Sequence, residues 1–252
     1  MALVRAFWIS LQFLTCIPVP RFEAGQGDFG KSLLFYPLVG LILGAVLFGV
    51  AWLLQGQLLF LQAALLLAVW VAITGALHLD GLADSADAWL GGLGSRERTM
   101  QIMKDPCCGP VAVVTLVLIL LIKFSALMVL LEQQEWLLLL IVPALARSAA
   151  VTLFLVTPYV REDGIASAWV NEIPRLPAWL VIGVLAVVVL LLLSWQGAGL
   201  LLVTVVTFLL LRWLMSRRLG GTTGDTAGAM IEILEVTVLL AGVFLLKSII
   251  QA

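Results

Sequence analysis

Charge is what this sequence has least of. Lys, Arg, Asp and Glu make up 12% of the 252 residues, against about a quarter in soluble domains. Hydrophobic residues make up 63%, and the mean hydropathy is +1.16. That excludes a soluble globular protein and describes a polytopic helical membrane protein. Cysteine is scarce as well: Cys16, Cys107 and Cys108 form neither a CxxC pair nor an even-numbered framework. A disulfide scaffold is excluded, and the thiols suit a reducing cytosolic side as inert residues rather than metal ligands. The net charge is −1 and no basic patch is interleaved with aromatics, so nucleic acid is excluded as a partner. No internal repeat or low-complexity segment stands out. The chain reads as one integral membrane domain, 1–252.

What it has in plenty is apolar runs. Residues 3–20 carry Arg5, end in Ile17-Pro18-Val19-Pro20 and are short for a span, and no small-residue cleavage site follows. They read as a re-entrant or interfacial helix. Seven runs near 33–54, 58–79, 110–131, 136–157, 178–194, 198–215 and 229–250 approach the ~20 residues that cross a ~30 Å hydrocarbon layer. The sequence therefore predicts an all-α bundle of about seven transmembrane helices. Eleven of the 14 basic residues fall on one side of that arrangement; Lys123, Arg147 and Lys247 lie in apolar runs. The connections at 55–57, 132–135 and 195–197 hold no Lys or Arg. The positive-inside rule puts the N-terminus and every long loop in the cytoplasm, with the working face there too.

The scarce charges are concentrated. Asp80, Asp84 and Asp87 stand at i, i+4 and i+7, within about 40° of one helix face, with Gly81, Ala83 and Ala86 keeping the surface between them low. No Lys or Arg intervenes before Arg96. An acidic helix start would complement the helix dipole; a divalent cation would also relieve the repulsion, with oxygen ligands and phosphate completing its shell. His78, the chain's only histidine, precedes the stripe. It is either a hydrogen-bonded helix-end residue or a group for proton transfer or ligand orientation, with a pKa that neighbouring carboxylates would raise.

A second constellation runs from Gly220 to Glu232. Gly220, Gly221 and Gly224 allow close backbone approach, and a helix beginning near Asp225 would offer N–H groups to an anion. Glu232 and Glu235 then fall inside the membrane boundary, where acids are costly and usually functional. Lys123 and Arg147 must face the bundle interior or an aqueous cleft; they pair with those acids or the Asp stripe, or bind substrate phosphate. Arg161-Glu162-Asp163-Gly164 reads by itself as a solvated turn. Phe35-Tyr36-Pro37-Leu38-Val39-Gly40 with Gly44 reads as a span entry followed by a Gly-x-x-x-Gly packing face. Acids for divalent metal, glycine-lined helix starts for phosphate and nearby cations are the equipment of phosphoryl transfer.

At these residues the chain resembles the cobalamin synthase family, the adenosylcobinamide-GDP ribazoletransferases. The resemblance rests on His78-Leu79-Asp80-Gly81-Leu82-Ala83-Asp84 with Asp87, Met103-Lys104-Asp105, Arg161-Glu162-x-Gly164, and Gly220 to Glu232. Phe13-Leu14-Thr15, Pro18-Val19-Pro20 and Phe35 to Gly44 add to it. It implies a membrane enzyme in which a ribose hydroxyl of α-ribazole, or of its 5′-phosphate, attacks the cobinamide-side phosphorus of adenosylcobinamide-GDP and GMP leaves. It implies Mg²⁺ held by Asp80, Asp84 and Asp87, with Asp105 and Asp225 as further ligands. Lys104 would neutralise phosphate, His78 or an Asp not bound to metal would take the hydroxyl proton, and Arg147, Arg161, Gly221, Gly224 and Glu232 would bind substrate. Membrane lipid is a further partner, and homo-oligomers stay open. Two positions depart from the family pattern: Asp105 is followed by Pro106-Cys107-Cys108-Gly109-Pro110, and Asp87 by Ala88.

Two rivals fit less well. A CDP-alcohol phosphotransferase needs an Asp-Gly-x-x-Ala-Arg signature, and Asp80-Gly81-Leu82-Ala83-Asp84 lacks that Arg. An ion-coupled transporter could use Glu232, Glu235, Arg147 and Lys123 as a relay, but no repeat is evident. If one diphosphate is held between the two acidic constellations, the spans carrying them must be neighbours.

Overall fold

The computed structural model describes residues 1–161, 164 and 167–250; Glu162 and Asp163 of the third motif lie outside the described residues. Eleven helices follow in order: α1 (Ala2–Leu14), α2 (Asp28–Ser32), α3 (Tyr36–Leu53), α4 (Leu59–Thr74), α5 (Leu77–Gly91), α6 (Arg96–Ile102), α7 (Pro110–Glu132), α8 (Leu137–Val156), α9 (Ser167–Val170), α10 (Arg175–Leu219) and α11 (Gly224–Ile250). No strand occurs among the described residues; a single bridge pairs Tyr159 with Thr222. Five helices are long and apolar enough to cross a membrane, and α4 with α5 makes a sixth candidate if that bent pair is one span.

The centre of the bundle is α8, whose small residues Ala144, Ala146, Ser148, Ala149 and Ala150 let neighbours come close. The Gly40/Gly44 face of α3 lies directly on it. A methyl at Gly40 would meet Ala144 Cα at 2.6 Å, and one at Gly44 would meet the Leu139 carbonyl oxygen at 2.5 Å. Pro143 has no N–H for that carbonyl, so the helix's own unpaired acceptor is what Gly44 approaches. This is the small-residue packing that membrane helices rely on in place of a hydrophobic driving force.

One break corrects the reading from apolar runs, and a second agrees with it. The run at 58–79 is not one helix: Gly75 and Ala76 both take left-handed backbone angles, φ 60° and 57°, and α5 leaves α4 at 87°. Gly75 has no alternative, since a side chain there would strike the Cys16 sulfur at 2.6 Å. The Cys16 N–H donates to the Ile73 carbonyl (2.7 Å), satisfying an acceptor at the end of α4. α5 therefore lies across the starts of α7 and α11 rather than continuing the path of α4. The runs at 178–194 and 198–215 are two helical arms, as the runs predict: α10 is broken between them at Ser194 (φ 49°). Straight, it would be about 68 Å long. Instead Gly197 abuts the Val189 carbonyl. Arg175 at its start donates to the Leu155 carbonyl (2.6 Å), while Arg212 near its end donates to Thr157 and Val156 (3.0 and 2.9 Å). Both ends of α10 thus meet the same end of α8, and its two arms are antiparallel.

α1 is a 13-residue helix, about 20 Å long and too short to span. Its Arg5 pairs with the buried Asp28 at 2.6 Å, and its Leu11 and Leu14 join a core with Leu33, Tyr36 and Trp169.

Candidate active site

Where α5 crosses α11, the two acidic constellations meet. Gly81 and Gly228 are the contact points: a methyl at Gly81 would lie 2.7 Å from the Asp225 carbonyl oxygen, and one at Gly228 3.3 Å from His78 Cα. Only glycine at 81 permits the crossing. The start of α11 is fastened by two threonines. The Thr223 N–H donates to the Thr226 hydroxyl (2.9 Å) and the Thr226 N–H to the Thr223 hydroxyl (3.2 Å), the reciprocal arrangement of a capping box.

Beside the crossing is a cavity of about 250 Å³ lined by His78, Asp80, Arg161, Gly224 and Asp225 among others. Arg161 donates to the Asp225 carboxylate at 2.7 Å, both half-buried. Asp84, one turn on from Asp80, is pushed up to about 6 by partial burial and by the charges of Asp80 and Asp225. His78 runs against expectation. Burial and the Arg147 charge lower its pKa, because desolvation and a nearby cation outweigh the buried Glu235. The imidazole is neutral, 3% exposed, and its Nδ1 has no partner.

Other expected residues sit elsewhere. Asp87 caps α7: the Gly109 and Ala112 N–H groups donate to its two oxygens at 2.5 and 2.9 Å. Asp105 is exposed and accepts from the Cys107 N–H (3.0 Å), and Lys104 is exposed beside it; neither lines the cavity. The preceding Met103 receives the Thr223 hydroxyl at 3.4 Å, which keeps this segment against the start of α11. Gly221 does not line the cavity either. Its missing side chain lets the chain pair with 158–160, where the Val160 and Thr222 N–H groups donate to Thr222 and Pro158 carbonyls at 2.9 and 2.8 Å.

Arg147 and Glu232, expected at the substrate, are instead inside the bundle. Lys123 donates to Glu232 (2.9 Å) and Glu235 (2.5 Å), Arg147 pairs with Glu235, and the Lys123 ammonium lies 4.4 Å over the Trp70 ring. All four charged groups are at most 3% exposed. Two cations and two anions cancel, so the network joins α4, α7, α8 and α11 without leaving net charge in the membrane.

Reading charged motifs missed the aromatic side of the cavity. The chain has one histidine and two tyrosines, and His78, Tyr36 and Tyr159 all line it, with Phe13, Phe154 and Trp169. The scarcity of tyrosine, one of them two residues before Arg161, was the available signal.

The model of the cobalamin-5-phosphate synthase family matches residues 6–243. The chain belongs to that family. It is 54% identical over 239 residues to an adenosylcobinamide-GDP ribazoletransferase of Pseudomonas savastanoi pv. phaseolicola, covering 93% of this chain and 97% of the relative. It is 55% identical over 235 residues to the one of Pseudomonas fluorescens, covering 92% and 96%. No solved structure matches. Membership of the cobalamin-5-phosphate synthases agrees with the motif resemblance and displaces both rivals.

A divalent ion fits these residues in one manner. No three His, Cys, Asp or Glu side chains among the described residues form a closed metal cage. Asp80 and Asp225 line the cavity, and one or two such hard oxygen donors suit Mg²⁺, which keeps several waters and completes its shell with substrate phosphate.

Proposed function

We propose that this cobalamin-5-phosphate synthase family member joins a ribose hydroxyl of α-ribazole, or of its 5′-phosphate, to the cobinamide-side phosphorus of adenosylcobinamide-GDP. A ribose O–P bond forms, the bond to the bridging oxygen breaks, and GMP leaves with that oxygen. The observation that carries the reading is the meeting of Asp80 with Asp225 and Arg161 at one cavity, from motifs far apart in the chain. Such a transfer depends mainly on positioning and charge neutralisation.

Asp80 and Asp84 would hold Mg²⁺ together with substrate phosphate, and Asp225 lies across the cavity as an alternative donor. The ion when bound would neutralise the diphosphate and polarise its phosphorus. Arg161 orients Asp225 and presents positive charge to phosphate. Neutral His78 offers Nδ1 as an acceptor for the ribose hydroxyl. A carboxylate of the site that is not bound to the ion would suit general base catalysis. Lys104 and Asp105, outside the cavity, would meet only the solvent-facing phosphate, and Asp87 serves α7.

The chain crosses a bacterial inner membrane seven times in this reading, counting both arms of α10 and taking α4 as a crossing. The long loops and the site are cytoplasmic. The deciding assay is GMP release from adenosylcobinamide-GDP and α-ribazole by purified protein, with Mg²⁺ and with EDTA. GMP release that requires Mg²⁺ is expected; none in either condition would refute the function. Reporters fused at 92–95 and 216–219 should both read cytoplasmic, and a periplasmic signal from either would refute the topology.

A further inference from the structure

The cavity at the α5–α11 crossing has two chemically different walls. One carries His78, Asp80, Arg161 and Asp225. The other is apolar and aromatic, and much of it comes from segments without a charged motif: Phe13 and Leu14 at the end of α1, Tyr36 at the start of α3, and Trp169 on α9. These residues belong to a single cluster. Phe13 meets Trp169 edge-on at 5.2 Å and stacks on Tyr36 at 6.4 Å, while Phe29 stacks on Trp169 at 5.0 Å and 7°. The rings therefore hold one another in place. Such a wall is preorganised for a flat, uncharged aromatic group.

Beyond Tyr159 and Arg161 a second, larger hollow opens, of about 740 Å³. The two share Phe154, Tyr159, Arg161 and Val170. One reactant of the proposed reaction is a nucleoside with a planar base; the other carries a corrin ring several times larger. The smaller cavity can take the nucleoside and cannot take the corrin.

We infer that the 250 Å³ cavity is the seat of the acceptor nucleoside, with its base against Phe13, Tyr36 and Trp169 and its ribose toward Asp80 and Asp225. The inference rests on the proposed function. It gives α1 a part in the reaction: Phe13 is a specificity residue for the acceptor. The larger hollow then receives the cobinamide side of the donor, and the diphosphate spans the shared rim at Arg161.

The test uses the full-length protein in detergent and measures KM separately for α-ribazole and adenosylcobinamide-GDP. Losing one aromatic stacking partner is worth about tenfold or more in affinity. Phe13→Ala should raise the α-ribazole KM about tenfold and leave the adenosylcobinamide-GDP KM within twofold. Phe13→Leu keeps the apolar fill and is read in the same way should Phe13→Ala not accumulate; its expected rise is about fivefold. An unchanged α-ribazole KM in a folded variant, or a rise confined to adenosylcobinamide-GDP, overturns the inference while the proposed function stands. Wild-type protein that releases no GMP overturns the function, and the assignment of α-ribazole to this cavity with it.

Discussion

Arg161 and Asp225, 64 residues apart in sequence, are joined at 2.7 Å on the rim of the cavity. The pair sits where the start of α11 meets the loop after α8, so it sets the direction of a carboxylate that would otherwise face Asp80 and Asp84 alone. Arg161→Ala should lower GMP release by about 10²-fold, the cost of losing one preorganised electrostatic contact at a reacting centre, and Arg161→Lys should recover part of it. An Arg161→Ala protein with turnover within twofold of wild type would reduce the pair to a surface contact of little consequence.

Asp84 separates catalysis from stability. Its pKa is raised to about 6, so the folded protein holds this proton more tightly than the unfolded chain. Its contribution to stability is greatest at low pH and is lost as pH rises through about 6. After allowance for solvent, the loss is about 1 kcal/mol. In metal-free protein, Asp84→Asn should remove that pH dependence, so that its melting temperature relative to wild type is higher at pH 8 than at pH 5, while Mg²⁺-dependent turnover falls by about 10²-fold or more. Unchanged turnover would make Asp84 a bystander.

Asp87 should behave in the opposite way. Both its oxygens accept backbone N–H groups at the start of α7. Asp87→Ala should cost about 1–2 kcal/mol, as for loss of a helix cap, and lower the melting temperature. Turnover per folded molecule should drop less than in Asp84→Asn. Full loss of Mg²⁺-dependent turnover without a thermal shift would return Asp87 to the metal ligands.

The intramembrane network should respond to charge balance. Lys123→Met leaves Glu232 and Glu235 facing Arg147 alone and should cost about 3–5 kcal/mol, seen as poor accumulation in membranes. Adding Glu232→Gln restores neutrality and should recover much of the lost protein. A double variant that accumulates no better than Lys123→Met would point to a specific role for the ammonium, for example over Trp70.

Much of this protein was legible in its sequence, because the relevant information is local. Scarce charge and long apolar runs determine a membrane bundle. The i, i+4, i+7 spacing determines that Asp80, Asp84 and Asp87 share a helix face, and the two motifs determine the family. Tertiary structure decided what each residue faces. Nothing local distinguishes Asp87, whose oxygens cap the start of α7, from Asp84 one turn earlier. Hydropathy reads straight through Gly75 and Ala76, since a left-handed pair changes direction without changing polarity. Arg147 and Glu232 looked suited to substrate until the fold placed Glu235 and Lys123 beside them, because a buried charge takes whichever opposite charge the packing brings within reach. The aromatic wall draws on residues 13, 36, 154 and 169, which share no pattern along the chain. They meet only because the end of α1, the start of α3 and α9 pack into one cluster, and a wall assembled from four distant segments leaves no periodicity to read.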